Sequence, residues 1–138
     1  MIEVRKLTKT EFYNLLVEAD YSETRFISKT FEPYDFFQSY SIEQSGLVIN
    51  KKVIYWGALV KLRDKYELWT VVNQNVKEQF TLYKVTKKAI YGWLEKHSPI
   101  YATMYQGNEV NKRWVEKMKF KKDSEDERFI TYVLNKEN

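Results

Sequence analysis

The sequence contains no cysteine and a single histidine, His97. Without cysteine there is no disulfide, no thiolate metal site and no thiol nucleophile, and one imidazole excludes a histidine-rich zinc centre. The chain suits a reducing, cytoplasmic setting. It has only four glycines and two prolines, so few positions are marked for special backbone geometry. No apolar run approaches the ~20 residues of a membrane-spanning helix. The opening MIEVRKLTKTEF carries no apolar leader region. Charge is nearly balanced, with 23 Lys and Arg against 19 Asp and Glu and a net charge of +4. That balance is compatible with an acidic partner, nucleic acid or an anionic cofactor, and demands none of them.

Large rings are what the chain has in abundance. Eleven Tyr, eight Phe and four Trp bring the aromatic fraction to 17% and help lift the hydrophobic fraction to 43%. This composition predicts one globular domain over residues 1–138, with a core built around rings. Residues 2–6 alternate apolar and polar, as a strand does. Thr8 and Glu11 have capping-box spacing, with Leu7 and Phe12 placed for the accompanying hydrophobic staple. Phe12, Leu15, Leu16 and Ala19 then follow helical spacing, so residues 9–19 are predicted as an amphipathic helix. Residues 21–40 crowd seven rings together, with a short helix from Pro33 to Tyr40. These rings have two readings: a roof over the core, or an aromatic wall for a ligand.

Strands are predicted over 46–50, 53–62 and 66–73, the first two joined as a hairpin at Lys51-Lys52. A second helix covers 75–96, with Asn75 and Glu78 at capping-box spacing and Leu82, Val85, Ala89, Ile90, Trp93 and Leu94 as its buried stripe. Ser98-Pro99 ends it. A strand at 100–105, a helix at 109–118 with Val110, Trp114, Val115 and Met118 inward, and a closing hairpin of 120–123 with 128–134 complete the order. The expected architecture is α+β: a mostly antiparallel, twisted sheet of about six to seven strands with three or four helices on its faces.

Gly107-Asn108, followed by a helix that closes on Glu116-Lys117-Met118-Lys119-Phe120, resembles the last third of the GNAT acyltransferase superfamily. There the helix ends in Tyr-Glu-Lys-Leu-Gly-Phe. Here Val115 stands at the Tyr position and Lys119 at the Gly position. The N-terminal IEVRKLTKTEFYNLL and the Trp56-Gly57 step within an apolar strand are similar to the family's first strand, first helix and third strand. The resemblance spans nearly the whole chain and implies the GNAT fold. It also implies an acyl-CoA held where the fourth and fifth strands splay apart, and a pyrophosphate held by a glycine-rich turn at a helix N-terminus. The matching turn, residues 72–81, has no glycine.

Carried onto this chain, the resemblance implies a cofactor-binding set of Val71, Val72, Lys77, Gln79, Phe80, Thr81 and Asn108. Val71 and Val72 would offer backbone amides, and Lys77 would offset Glu78 beside the pyrophosphate. Glu67 is the carboxylate placed to act as base through water, and Tyr105 the residue placed to protonate the leaving thiolate in place of Val115. Glu67 has a second reading as a solvent-facing strand residue, the commoner place for glutamate. His97 is expected to complement a helix C-terminus rather than to do chemistry.

The two departures also resemble the small internal virion protein of short-tailed phages, which likewise lacks the glycine-rich loop. Three functions follow. The first is a GNAT-fold phage accessory or virion protein that has lost catalysis and binds a host or virion protein, needing no cofactor. The second is an active N-acyltransferase that uses acetyl-CoA to acylate an amine. The third is a nucleic-acid-binding module built on lysines 84, 87 and 88 with those around the last helix. The acidic residues interspersed among those lysines speak against the third.

Overall fold

The computed structural model describes residues 1–19, 32–73 and 76–136. Strand β1 (Ile2–Arg5) leads into helix α1 (Lys9–Ala19) and helix α2 (Pro33–Tyr40). Three long strands follow: β2 (Ser41–Ile49), β3 (Lys52–Leu62) and β4 (Lys65–Val72). The chain then forms helix α3 (Gln79–Lys96), strand β5 (Ile100–Tyr105), helix α4 (Glu109–Lys117), and strands β6 (Lys121–Glu125) and β7 (Phe129–Leu134). The seven strands make one sheet in the order β1-β2-β3-β4-β5-β7-β6. Every pairing is antiparallel except β4 with β5. This is the expected α+β architecture.

Local chemistry accounts for the elements. The Thr8 hydroxyl accepts from the Glu11 amide (3.2 Å), and the Glu11 carboxylate accepts from the Thr8 amide (2.9 Å), closing the predicted capping box. Leu7 and Phe12 are both buried beside it. The β2–β3 hairpin turns on Asn50 (φ 49°) and Lys51 (φ 69°). Two consecutive left-handed residues give the twist that a two-residue hairpin loop requires. Within β3, an added Cβ on Gly57 would lie 1.9 Å from the Tyr55 hydroxyl oxygen. The glycine in that apolar run makes room for a fully buried phenol.

The end of α4 explains the family-like string. Phe120 N–H donates to the Val115 carbonyl (3.0 Å) and Lys119 N–H to the Glu116 carbonyl (3.0 Å), while Lys119 adopts φ 76°. These are the two bonds and the left-handed residue of a Schellman cap, with Val115 and Phe120 buried in one cluster as its apolar contact. Lys119 holds the conformation that glycine adopts without steric cost.

Two helical layers cover the sheet. On one face, α1 and α2 bury Phe12, Leu15 and Phe37 against Trp56, Ala58 and Val71. On the other, α3 and α4 bury Ile90, Trp93, Val115 and Met118 against β4, β5 and β7. The ring-rich segment roofs the core where it is described: Phe37 packs on Trp56 (4.7 Å) and Trp69 (5.3 Å), and Tyr34 on Phe12 (5.8 Å). Its rings at 21, 26 and 31 lie outside the described residues. Three expectations need correction. Strand β2 begins at Ser41, five residues before the predicted start, because Ser41, Glu43, Gln44 and Ser45 continue the ladder with β3 past a bulge. Helix α3 begins at Gln79, with Glu78 as its N-cap residue. Val110, expected inward, is 48% exposed on the first turn of α4.

Candidate active site between β4 and β5

Strands β4 and β5 pair only at Tyr66 with Ile100 and Glu67 with Tyr101. Past that vertex they diverge, and a cleft of about 210 Å³ opens between them. Residues 67–70 form one wall and residues 102–105 the other, with Asn111, Trp114 and Val115 of α4 and Phe129 of β7 closing the sides.

The cleft edge of β4 follows from its ladder. Asn73 N–H donates to the Ile54 carbonyl (2.9 Å). Bonded and non-bonded pairs alternate along an antiparallel ladder. Val71 therefore also turns its amide to β3, whereas Thr70 and Val72 turn theirs to the β5 side. Val71 is fully buried, its side chain packed in the α1/α2 layer. Of the two valines expected to offer amides, Val72 is the one so oriented.

Glu67 sits at the vertex and is half-buried, not the solvent-facing strand residue of the alternative reading. Burial pushes its carboxyl above the ordinary glutamate range, and Lys65 offsets this in part. Tyr105 lies at the far end of the opposite wall, its ring stacked on Phe129 with centroids 4.9 Å apart. The register places Tyr105 four residues beyond Tyr101, the partner of Glu67, or roughly 13 Å along the strand. Two indole N–H groups belonging to cleft residues, Trp69 Nε1 and Trp114 Nε1, are buried without a hydrogen-bond partner.

The remaining predicted site residues lie away from the cleft walls. Lys77 is exposed, and Gln79 folds back so that its side-chain amide donates to the Val76 carbonyl (3.1 Å). Phe80 is 74% exposed, with the Lys84 ammonium 5.2 Å from its ring centre. These residues and Thr81 form the approach to α3 and its first turn. Glu78 makes no side-chain cap there, so its carboxylate does not occupy the helix's orphan amides. Asn75, the other half of the expected box, lies outside the described residues. Asn108 caps α4 by accepting from the Asn111 amide (3.1 Å). His97 ends α3 with its Nε2 3.1 Å from a Glu43 carboxylate oxygen, as a structural residue. Phe129, Thr103 and Asn111 were not anticipated. Finding Phe129 requires knowing that β7, not β6, pairs with β5.

Among the described residues no group of acidic or histidine side chains could hold a metal ion, and no helix is long and apolar enough to cross a membrane. The strand order, the β4–β5 splay and the placement of the helices define the GNAT fold. An acetyltransferase of Bacillus subtilis in complex with CoA shares it with a TM-score of 0.71 at 15% identity, over 97% of both chains. A probable acetyltransferase of Staphylococcus epidermidis gives 0.72 at 11% identity, over 98% of this chain and 99% of that one. A GNAT-family acetyltransferase of Bacillus anthracis gives 0.71 at 14%, over 99% and 96%. No family model matches the sequence, and no curated protein does.

Proposed function

We propose that the protein is an acyl-CoA-dependent N-acyltransferase, with acetyl-CoA as donor and an amine as acceptor. The observation that carries this reading is the open β4–β5 cleft with a half-buried carboxylate at its vertex. The residues present fit the donor. A buried donor without a partner costs about 1–3 kcal/mol, and the indoles of Trp69 and Trp114, two residues that line the cleft, are such groups, which an acyl-pantetheine arm would reach if their rings turned. That arm brings amide carbonyls, and the first turn of α3 presents amides and a helix dipole to a pyrophosphate. Acetyl-CoA supplies an acyl group activated as a thioester. Glu67, its carboxyl raised by burial above the ordinary glutamate range, is the stronger base for it, and would accept the proton of the amine through water. Tyr105, on the opposite wall, would be the residue to supply a proton to the departing sulfur, which Val115 cannot do. The test is calorimetry with acetyl-CoA followed by mass spectrometry of acetylated amines. Absence of heat at high micromolar protein overturns the reading.

A second reading rests on the glycine-free turn at 72–81 and on Val115. In it the chain keeps the fold without the chemistry and binds a protein partner, as a phage accessory or virion component would. It expects no CoA binding, and a partner retained by the tagged chain from a lysate of infected cells. The neighbouring folds, all carried by proteins named as acetyltransferases, support the first reading better.

A further inference from the structure

Strand β1 lies at an edge of the sheet and pairs with β2 alone. The phase of that pairing decides what its other side offers. Asn50 N–H donates to the Met1 carbonyl (2.9 Å), which makes Met1 and Asn50 a bonded pair. Bonded and non-bonded pairs alternate along an antiparallel ladder. Glu3 and Arg5 therefore turn their backbone groups to β2, opposite Val48 and Gly46, while Ile2 and Val4 turn theirs away from the sheet. The side chains of Ile2 and Val4 share a face with Ile49 and Leu47. Val4 is thus the outermost member of an apolar row that runs inward through the buried Leu47 and Tyr55. Glu3 and Arg5 lie on the opposite face, where Arg5 meets Glu11 of α1. Arg5 donates through Nε to Glu3, through Nη1 to the Lys6 carbonyl and Glu11, and through Nη2 to Glu11. A guanidinium has one N–H more than these four, and it sits on Nη2.

We propose that β1 is a dimerisation edge: two copies of the chain pair their β1 strands antiparallel about a two-fold axis at Val4, joining two sheets into one. The phase and the charges select this register. Residues facing each other across the new ladder must both turn their backbone groups outward, so Ile2 and Val4 face only outward-turned residues of the copy. An axis at Glu3 sets Glu3 against Glu3 of the second copy, and like charges directly opposite oppose pairing. An axis at Val4 sets Glu3 against Arg5 of the second copy and Arg5 against its Glu3, at the short separation of non-bonded pairs. The remaining Arg5 N–H then has a carboxylate to meet. On the other face Val4 packs on Val4 of the second copy, and the apolar row continues from one sheet into the next. The complementarity belongs to this strand with itself, which is why the occupant is a second copy. So short a strand buries far less than the ~1,200 Å² of a stable interface, and the pairing is reversible.

The test is sedimentation of the full chain from low micromolar to millimolar concentration. The mean mass is expected to rise from 16.7 kDa toward twice that value. Over the same range, amide exchange is expected to slow at Ile2 and Val4 and to stay unchanged at Glu3 and Arg5, whose amides already bond β2. Val4→Pro removes an N–H that faces solvent in the single chain, so the ladder with β2 is kept and the association is expected to be lost. Glu3→Lys sets like charges opposite each other at both pairs and is expected to weaken association on the order of tenfold. A cooperative unfolding transition at low concentration shows that each variant is folded, and Glu3→Lys decides the matter if Val4→Pro is not. A mass that stays at one chain up to millimolar concentration would overturn the proposal. So would dimerisation that Glu3→Lys leaves at parental strength, or protection of Ile2 and Val4 that appears only on adding an extended peptide of unrelated sequence.

Discussion

Two side chains carry opposite lessons about single positions. Lys119 takes a left-handed conformation because the Schellman cap of α4 requires it there, and a side chain in that region is strained relative to glycine. Lys119→Gly is expected to stabilise the protein by about 0.5–1 kcal/mol, the strain relief exceeding the added freedom of the unfolded chain. Urea denaturation with an unchanged slope is the measurement. Glu67 shows the reverse, a residue whose placement weakens the fold. Its carboxyl is raised by burial, so the folded state favours the proton. The associated stability is full below the unfolded value of about 4.3 and is lost as pH rises through the higher folded value. Glu67→Gln removes that loss. It is expected to unfold no more easily than the parent at pH 7, and to become the more stable of the two as pH increases from 4 to 8. The same variant is expected to abolish amine acylation. The acid limb of the parent's rate profile should lie above the ordinary glutamate range.

At the scale of elements, β1 and α1 are joined by an ion pair between Arg5 and Glu11. Arg5 places its two guanidinium nitrogens 2.8 and 2.9 Å from the two oxygens of Glu11, and this bidentate contact holds the Glu11 carboxyl down at about 2. The pair is partly exposed, so solvent screens it. Its contribution is present above about pH 4.3, the unfolded glutamate value, and is lost as pH falls toward 2. Glu11→Gln is expected to lower stability at pH 7 and to flatten the stability curve between pH 2 and 5, as read by thermal denaturation across that range. The sequence made this part of the fold legible because capping box, staple and helical stripe all fall within fifteen residues. The C-terminal cap of α4 was legible as a string, though its geometry appeared only with the φ of Lys119. Glu67 and Tyr105 sit in strands that the pattern marks clearly, and both line the cleft. Val71 turns its amide to β3, because the direction of an amide depends on ladder phase, which Asn73 fixes from outside the strand. Phe129 was missed because its place depends on long-range strand order. The start of α3 differs from the spacing of Asn75 and Glu78, since the helix begins at Gln79 with Glu78 as its N-cap residue.

At the scale of the whole molecule, the sheet is two well-paired blocks, β1 to β4 and β5 to β7. They meet at only two residue pairs, with α3 packed across the junction. Local stability follows local pairing and burial. Amide hydrogen exchange is therefore expected to be slowest in β3, which is paired along both edges, and faster at residues 102–105, which have a partner strand on one side only. Acetyl-CoA at a hundred times its dissociation constant should add about 2.7 kcal/mol to global stability and slow exchange on both walls. Equal protection of β3 and residues 102–105 in the free protein would contradict the two-block description.

The two outer strands of the sheet are chemically unlike. Strand β6 is KKDSE, exposed along its whole length, and its charges discourage another strand from adding beside it. Strand β1 presents Ile2 and Val4, both more than half exposed. As a building block the chain thus has one adhesive rim and one repellent rim. A contact through β1 alone is self-complementary and closes at two copies, and the charged rim leaves no place for a third. A strand added to this sheet would meet less opposition beside β1 than beside the charged β6.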